Sequence, residues 1–237
     1  VTSIGNDAQT VEDSLRGLRH GIERYAEFEN TTKSPITLAG TIKGFDTSAP
    51  DPEDWTYPQR YEIRREVLRG MSPHVLFGYC AVEQALADAG LPREAITDGA
   101  TGMFTASAGS PAGIHRQIDR INHDGVMRGS PMAVVSSVTG TLSFNLVAAY
   151  KIRGASCGFA SACASSGHAL GYAWEEVASG RQQRMIVVGG EDCNAASILS
   201  FAVMRALTQS TDPNNASRPF DAKRDGFVGA GGAACLL

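Results

Sequence analysis

No stretch of this sequence is both long and apolar enough to cross a bilayer, and no secretory signal opens it. Basic runs are missing too. With 21 Lys and Arg against 25 Asp and Glu, the net charge is −4, which argues against a nucleic-acid binder or a polyanion groove. Cysteine is sparse and unpaired: Cys80, Cys157, Cys163, Cys193 and Cys235 form an odd set without the close spacings of a zinc site or a disulfide framework. That usage fits a reducing compartment, so a cytoplasmic protein that holds no metal is expected. There is no internal repeat and no low-complexity segment. What is present, 43% hydrophobic and 19% charged residues in 237, describes a soluble globular chain long enough for one large domain or two small ones.

Both ends read as cut. The chain opens on Val1-Thr2-Ser3-Ile4-Gly5 without Met and stops inside the apolar run Ala233-Ala234-Cys235-Leu236-Leu237. Domains end more often in polar, exposed residues, so a partial sequence is expected.

The most informative stretch runs from Gly154 to Gly180. It reads as a strand entering a tight turn and then a helix, with Cys163 at the junction among Ala160, Ser161, Ala162, Ala164, Ser165, Ser166 and Gly167. Leu170, Trp174 and Val177 follow at i, i+4, i+7, one apolar face of that helix. A cysteine at a helix start lies beside unpaired backbone N–H groups and the positive end of the helix dipole, which favour the thiolate nucleophile. The same stretch also fits a buried small hydrophobe in a tightly packed turn. His168 is five residues on, about 140° around the helix, so it reads as a packed or capping histidine and not as the partner of Cys163.

Along the rest of the chain, Asn6 or Asp7 caps a helix with Val11, Leu15 and Leu18 on one face and Gly21 past its end. Residues 30–60 read as loop, with Trp55 and Tyr57 as anchors. Arg64, Arg65 and Arg69 form a small basic cluster that also suits a solvated helix face. Ser72, Pro73 and Gly90 bracket a helix that buries Val75, Tyr79, Val82 and Leu86, with Cys80 in the core. Thr101 to Ser107 reads as a strand. The Gly-rich loop after it lacks the spacing and the Lys of a P-loop. Arg116 and Arg120 share the face of the next helix, Ser136 to Tyr150 reads as one helix, and Met185 to Val188 as a strand buried on both faces. Ile198, Phe201, Met204 and Leu207 look helical, and a turn and a last strand end the chain. Strands alternating with helices predict an α/β fold with a mainly parallel sheet.

Four segments together resemble the β-ketoacyl-acyl-carrier-protein synthases: SACASSGHALG around Cys163, VVGGEDC at 187–193, MRALTQS at 204–210 and SRPFDAKRDGFV at 217–228. The opening VTSIGN fits as well. The resemblance implies the N-terminal half of a thiolase-like fold spanning residues 1–237, with a central first strand lying before Val1 and the second half absent. It implies that Cys163 is the nucleophile and that its backbone N–H is an oxyanion donor. It further implies that Phe201 lines the acyl pocket and that Arg65, Arg69 and Arg128 contact acyl carrier protein. The protein would be a homodimer paired through the strand Ser156 to Ser161. It would need no cofactor of its own, because phosphopantetheine arrives on the carrier. The implied reaction is acyl transfer to Cys163 and then decarboxylative Claisen condensation with malonyl-carrier protein. The family's two catalytic histidines have no counterpart among His20, His74, His115, His123 and His168, so this chain alone is expected to be inactive in elongation. The competing expectations are a ketosynthase of polyketide or specialised-lipid synthesis and a non-catalytic partner of the chain-length-factor kind. Retention of Cys163 argues against the latter.

Overall fold

The computed structural model describes residues 1–31 and 33–237. In chain order its elements are helix α1 (Ala8–Arg16), strand β1 (Ile22–Arg24), helix α2 (Ala26–Glu29), strand β2 (Leu38–Gly40), and helices α3 (Arg65–Leu68) and α4 (Pro73–Asp88). Strand β3 (Thr101–Ala106) is followed by helices α5 (Pro111–Asp124), α6 (Met132–Ser137) and α7 (Thr141–Tyr150), strand β4 (Ser156–Phe159), helix α8 (Ser165–Ala178) and strand β5 (Arg184–Glu191). Helices α9 (Ala195–Ile198), α10 (Ser200–Val203) and α11 (Pro213–Ala216) and strand β6 (Gly232–Leu236) complete it. Contacts divide the chain into two compact units, one of Val1–Lys43 with Asp192–Gly232 and one of Gly44–Glu191 with Ala233–Leu237.

The larger unit carries a sheet of order β4-β3-β5-β6, in which β3 runs parallel to both β4 and β5. The expected α/β architecture with a mainly parallel sheet is present. β3 is buried along its whole length, and Met185, Ile186, Val187 and Val188 of β5 are buried too, as a strand covered on both faces requires. Alternation along the strands then assigns the faces. Phe104, Ala106, Met185 and Val187 pack against Ala169 and Ala173 of α8. Helices α4 and α7 pack against β5 and β3 respectively, with Leu142 and Leu146 fully buried. Strand β3 pairs directly with both β4 and β5, with no gap between them.

Helix α4 is flanked as expected. Pro73 occupies its first turn, Gly90 follows with φ +65°, and Val75, Tyr79, Cys80, Val82 and Leu86 are buried. Its stretch from His74 to Val82 is buried on every side, and the Ser72 hydroxyl turns to His74 Nδ1 at 3.1 Å instead of capping the helix. Close approach of β3 and β4 depends on Gly102: a Cβ there would lie 2.5 Å from the Ala155 carbonyl oxygen and from the Met185 sulfur. The single helix expected over Ser136 to Tyr150 is broken at Val138-Thr139-Gly140, where the Thr141 hydroxyl bonds the Val135 carbonyl oxygen at 2.7 Å and restarts the chain as α7.

The smaller unit holds the β1–β2 antiparallel pair and a core of Phe28, Ile36, Ala39, Ile198 and Leu207. Asp7 caps α1 by accepting the Thr10 N–H at 2.8 Å, but the helix stops at Gly17, not Gly21. Leu15 and Leu18 are exposed, and the buried residue of α1 is Ser14, whose hydroxyl bonds the Ile4 carbonyl oxygen at 2.8 Å. The stretch expected to be helical through Leu207 is instead two short helices, after which Leu207 enters a parallel bridge with Phe227. Gly226 makes that bridge possible. Its φ is +146°, and a Cβ would sit 2.4 Å from the Leu207 carbonyl carbon. In the larger unit, within residues 30–60, Trp55 is buried and its indole N–H donates to the Ala49 carbonyl oxygen at 2.8 Å, while Tyr57 is half-buried.

Candidate functional site: the Cys163 elbow

Strand β4 ends at Phe159 and helix α8 begins at Ser165, leaving five residues to reverse direction. Small side chains allow so short a connection. Within it Ala162 has φ +52°, in the left-handed region that L residues seldom occupy. Cys163 follows directly and is exposed. Backbone bonds from Ala164 N to the Ser161 oxygen (3.2 Å) and from Ser165 N to the Ala162 oxygen (3.1 Å) close the turn. Among the described residues, the Cys163 N–H itself donates to no other group, and neither do the N–H groups of Ser166 and Gly167 in the first turn of α8. A thiol therefore stands at the end of a strand, in solvent, beside uncommitted backbone donors.

The other thiols lie in different surroundings. Burial pushes Cys80, Cys193 and Cys235 up to about 12, so they stay protonated at neutral pH. Cys157 on β4 is exposed, six residues before Cys163.

Helix α8 is oriented by its small face. Ala169 and Ala173 meet the sheet, while Leu170, Trp174 and Val177, expected as the apolar face, are 47%, 70% and 43% exposed. Large residues pointing outward and alanines pointing inward let the helix lie close to β3 and β5, which keeps its first turn next to the strand ends. His168 is exposed, not packed, and its Nδ1 lies 2.7 Å from the Ser161 hydroxyl. Ser165, which the spacing alone did not single out, is buried beneath the elbow. Its hydroxyl accepts the Ser161 N–H at 2.8 Å and donates to the Ala162 oxygen at 2.7 Å.

Arg65 and Arg69 are brought together by one carboxylate: both guanidinium groups reach Glu53, and both side chains stay more than half exposed. Arg65 in particular holds the Glu53 carboxyl below the usual range. Arg64 pairs with Glu66 at 3.1 Å. Arg128 is exposed in the short turn Val126–Arg128 after α5, and Arg116 and Arg120 are exposed on α5. Phe201 belongs to the smaller unit, 40% exposed, with its ring edge-on to Phe227 at 5.5 Å. A cavity of about 430 Å3 lined by Arg64, Tyr79, Arg93, Tyr150, Lys151 and Arg153, among others, does not include Cys163. Its Arg93 is already committed. The guanidinium lies 5.3 Å and 5.0 Å from the rings of Tyr79 and Tyr150 and bridges to Glu83 at 2.8 Å.

The frame of a parallel sheet, an exposed cysteine elbow and the four ordered motifs belongs to a known class. The chain is a member of the β-ketoacyl synthase family: a family model described as "Beta-ketoacyl synthase, N-terminal domain" matches residues 1–237. Within the family it is related to the 3-oxoacyl-(acyl-carrier-protein) synthases. It is 33% identical to synthase 1 of Haemophilus influenzae, across the whole of this chain and 56% of that protein. A crystal structure of a β-ketoacyl synthase from Burkholderia phymatum superimposes with a TM-score of 0.85 at 30% identity, covering 100% of this chain and 56% of that one. The ketosynthase of a type II PKS acyl-carrier-protein complex shares the fold at TM-score 0.78 and 20% identity, over 99% of this chain and 55% of that one. The chain thus spans about half the length of the proteins it resembles.

Proposed function

We propose that this chain is the nucleophile-bearing part of a 3-oxoacyl-acyl-carrier-protein synthase of fatty-acid elongation, with Cys163 as the acyl acceptor. The observation that carries the reading is the elbow itself, an exposed thiol with an uncommitted backbone N–H at a helix start. In the first half-reaction the Cys163 thiolate attacks the carbonyl carbon of a carrier-bound thioester. The Cys163 N–H receives the developing oxyanion, and the carrier's thiolate leaves and takes up a proton. In the second, malonyl-carrier protein loses CO2 and the carbanion attacks the acyl-Cys163 carbonyl, which frees the Cys163 thiolate. His168 is engaged by Ser161 on the turn. By the family resemblance the histidine pair is assigned to the half of the relatives that this chain does not span, and the chain alone is expected to accept an acyl group without elongating it.

Three further assignments belong to the same reading. Arg65 and Arg69, paired on Glu53, and Arg128 are the basic side chains offered to an acidic carrier protein. Phe201 lines the acyl pocket. Strand β4, exposed at the sheet edge, pairs with its copy across a two-fold axis in a homodimer. Identity of 33% to a 3-oxoacyl-(acyl-carrier-protein) synthase supports the elongation reading. Among the described residues no helix is long and apolar enough to cross a membrane.

Incubation of the chain with an acyl-carrier thioester and malonyl-carrier protein tests the division of labour. The expected products are acyl-enzyme and free carrier thiol, with no 3-oxoacyl product, and no acyl transfer in Cys163→Ala. A 3-oxoacyl product from this chain alone would refute the assignment of the histidines elsewhere, and equal transfer in Cys163→Ala would refute the acceptor.

A further inference from the structure

Ala162, immediately before Cys163, is held at φ +52° by something other than its own preference. All three polar groups of Ser161 are tied to the first turns of α8. Its N–H donates to the Ser165 hydroxyl (2.8 Å), its carbonyl oxygen accepts from the Ala164 N–H (3.2 Å), and its hydroxyl meets His168 Nδ1 (2.7 Å). The Ser165 hydroxyl proton then goes to the Ala162 oxygen (2.7 Å), so one buried oxygen grips the chain on both sides of Ala162. Every bond in the set ends on residue 161, 162, 164, 165 or 168, and none consumes Cys163.

We infer that Ser165 is a positioning residue for Cys163, acting as a hydroxyl clamp that keeps Ala162 left-handed and so fixes where the thiol and its N–H point. The inference rests on the reading of Cys163 as nucleophile. A helix would gain from Ala at position 165, and the hydroxyl gives no N-cap, since Ala164 occupies that position. Its two bonds run backward into the turn, to the backbone that sets the cysteine's direction. Ser161 and His168 tie the same turn from the other side.

The test is the rate of alkylation by iodoacetamide, read peptide by peptide. The Cys163 thiolate forms an S–C bond, iodide leaves, and the thiol proton goes to solvent. Cys157, exposed six residues earlier, serves as the reference within the same molecule. Ser165→Ala should slow Cys163 about tenfold relative to Cys157, the order expected when a reacting group loses its placement, and Ser165→Thr, which keeps the hydroxyl, should restore the ratio. An unchanged ratio in Ser165→Ala would overturn the inference. So would a common change at both cysteines, which reports loss of the local fold, or a threonine variant as slow as the alanine one. Acyl transfer from a carrier thioester is measured separately on the unsubstituted chain. If that fails while the alkylation ratio behaves as stated, the acyl-transfer reading falls and the clamp stands.

Discussion

Three of the five thiols are held away from base by burial, and this sets the reactivity expected at single residues. At about pH 8, groups at about 12 present roughly one thiolate in ten thousand, so Cys80, Cys193 and Cys235 should resist iodoacetamide while Cys157 and Cys163 are modified. Mass mapping of a timed reaction checks this, and early label on any of the three would contradict it. Asp225 makes a second residue-scale case. The Thr208 hydroxyl above all, with the Gln209 N–H, holds its carboxyl below the ordinary range. A depressed carboxylate contributes stability above its unfolded value and loses it as pH falls through its folded one. Asp225→Asn should therefore narrow the gap in denaturant midpoint between about pH 6 and about pH 3, and an unaltered gap would contradict the assignment. Cys163 could be picked out from sequence because its surroundings are local, a run of small residues within a few positions. The role of Ser165 could not, because a serine in a small-residue turn has the same composition whether its hydroxyl faces solvent or bonds two backbone groups.

At the scale of elements, the packing of β3 and α7 carries the clearest expectations. Gly102→Ala places a Cβ against the Ala155 carbonyl oxygen of the neighbouring strand segment and should destabilise the chain by about 1–3 kcal/mol, read as a shift in denaturant midpoint. Leu142→Ala removes a fully buried side chain from α7 and should cost about 2–5 kcal/mol in the same measurement. A cost under about 0.5 kcal/mol in either would mean that the site is not packed as described. Helix α4 and strands β3 and β5 were readable because their apolar residues recur at the helical period or run unbroken. Helix α8 is readable as a helix but its buried face is not, because its large apolar residues face outward and its alanines face the sheet. Periodicity reports that a face exists and is silent on which neighbour it meets. The break between α6 and α7 leaves no mark in the sequence pattern for a related reason. Gly140 and a side-chain bond from Thr141 end one helix and begin another without a proline to mark the place.

For the whole molecule, the alternation of strands and helices was enough to predict the α/β sheet, and four ordered motifs were enough to predict the family. The division of contacts into two units and the uninterrupted pairing of β3 with β5 depend on residues far apart in sequence, which neither period nor motif encodes. We propose that this fold holds one cysteine in solvent at a helix start, where it takes up an acyl group. The most direct measurement is peptide mapping by mass spectrometry after exposure to an acyl-carrier thioester. A single thioester adduct is expected on the peptide bearing Cys163, absent from Cys163→Ala and undiminished in Cys157→Ala. Acyl groups spread across the exposed cysteines alike, or found on Cys157 alone, would contradict it.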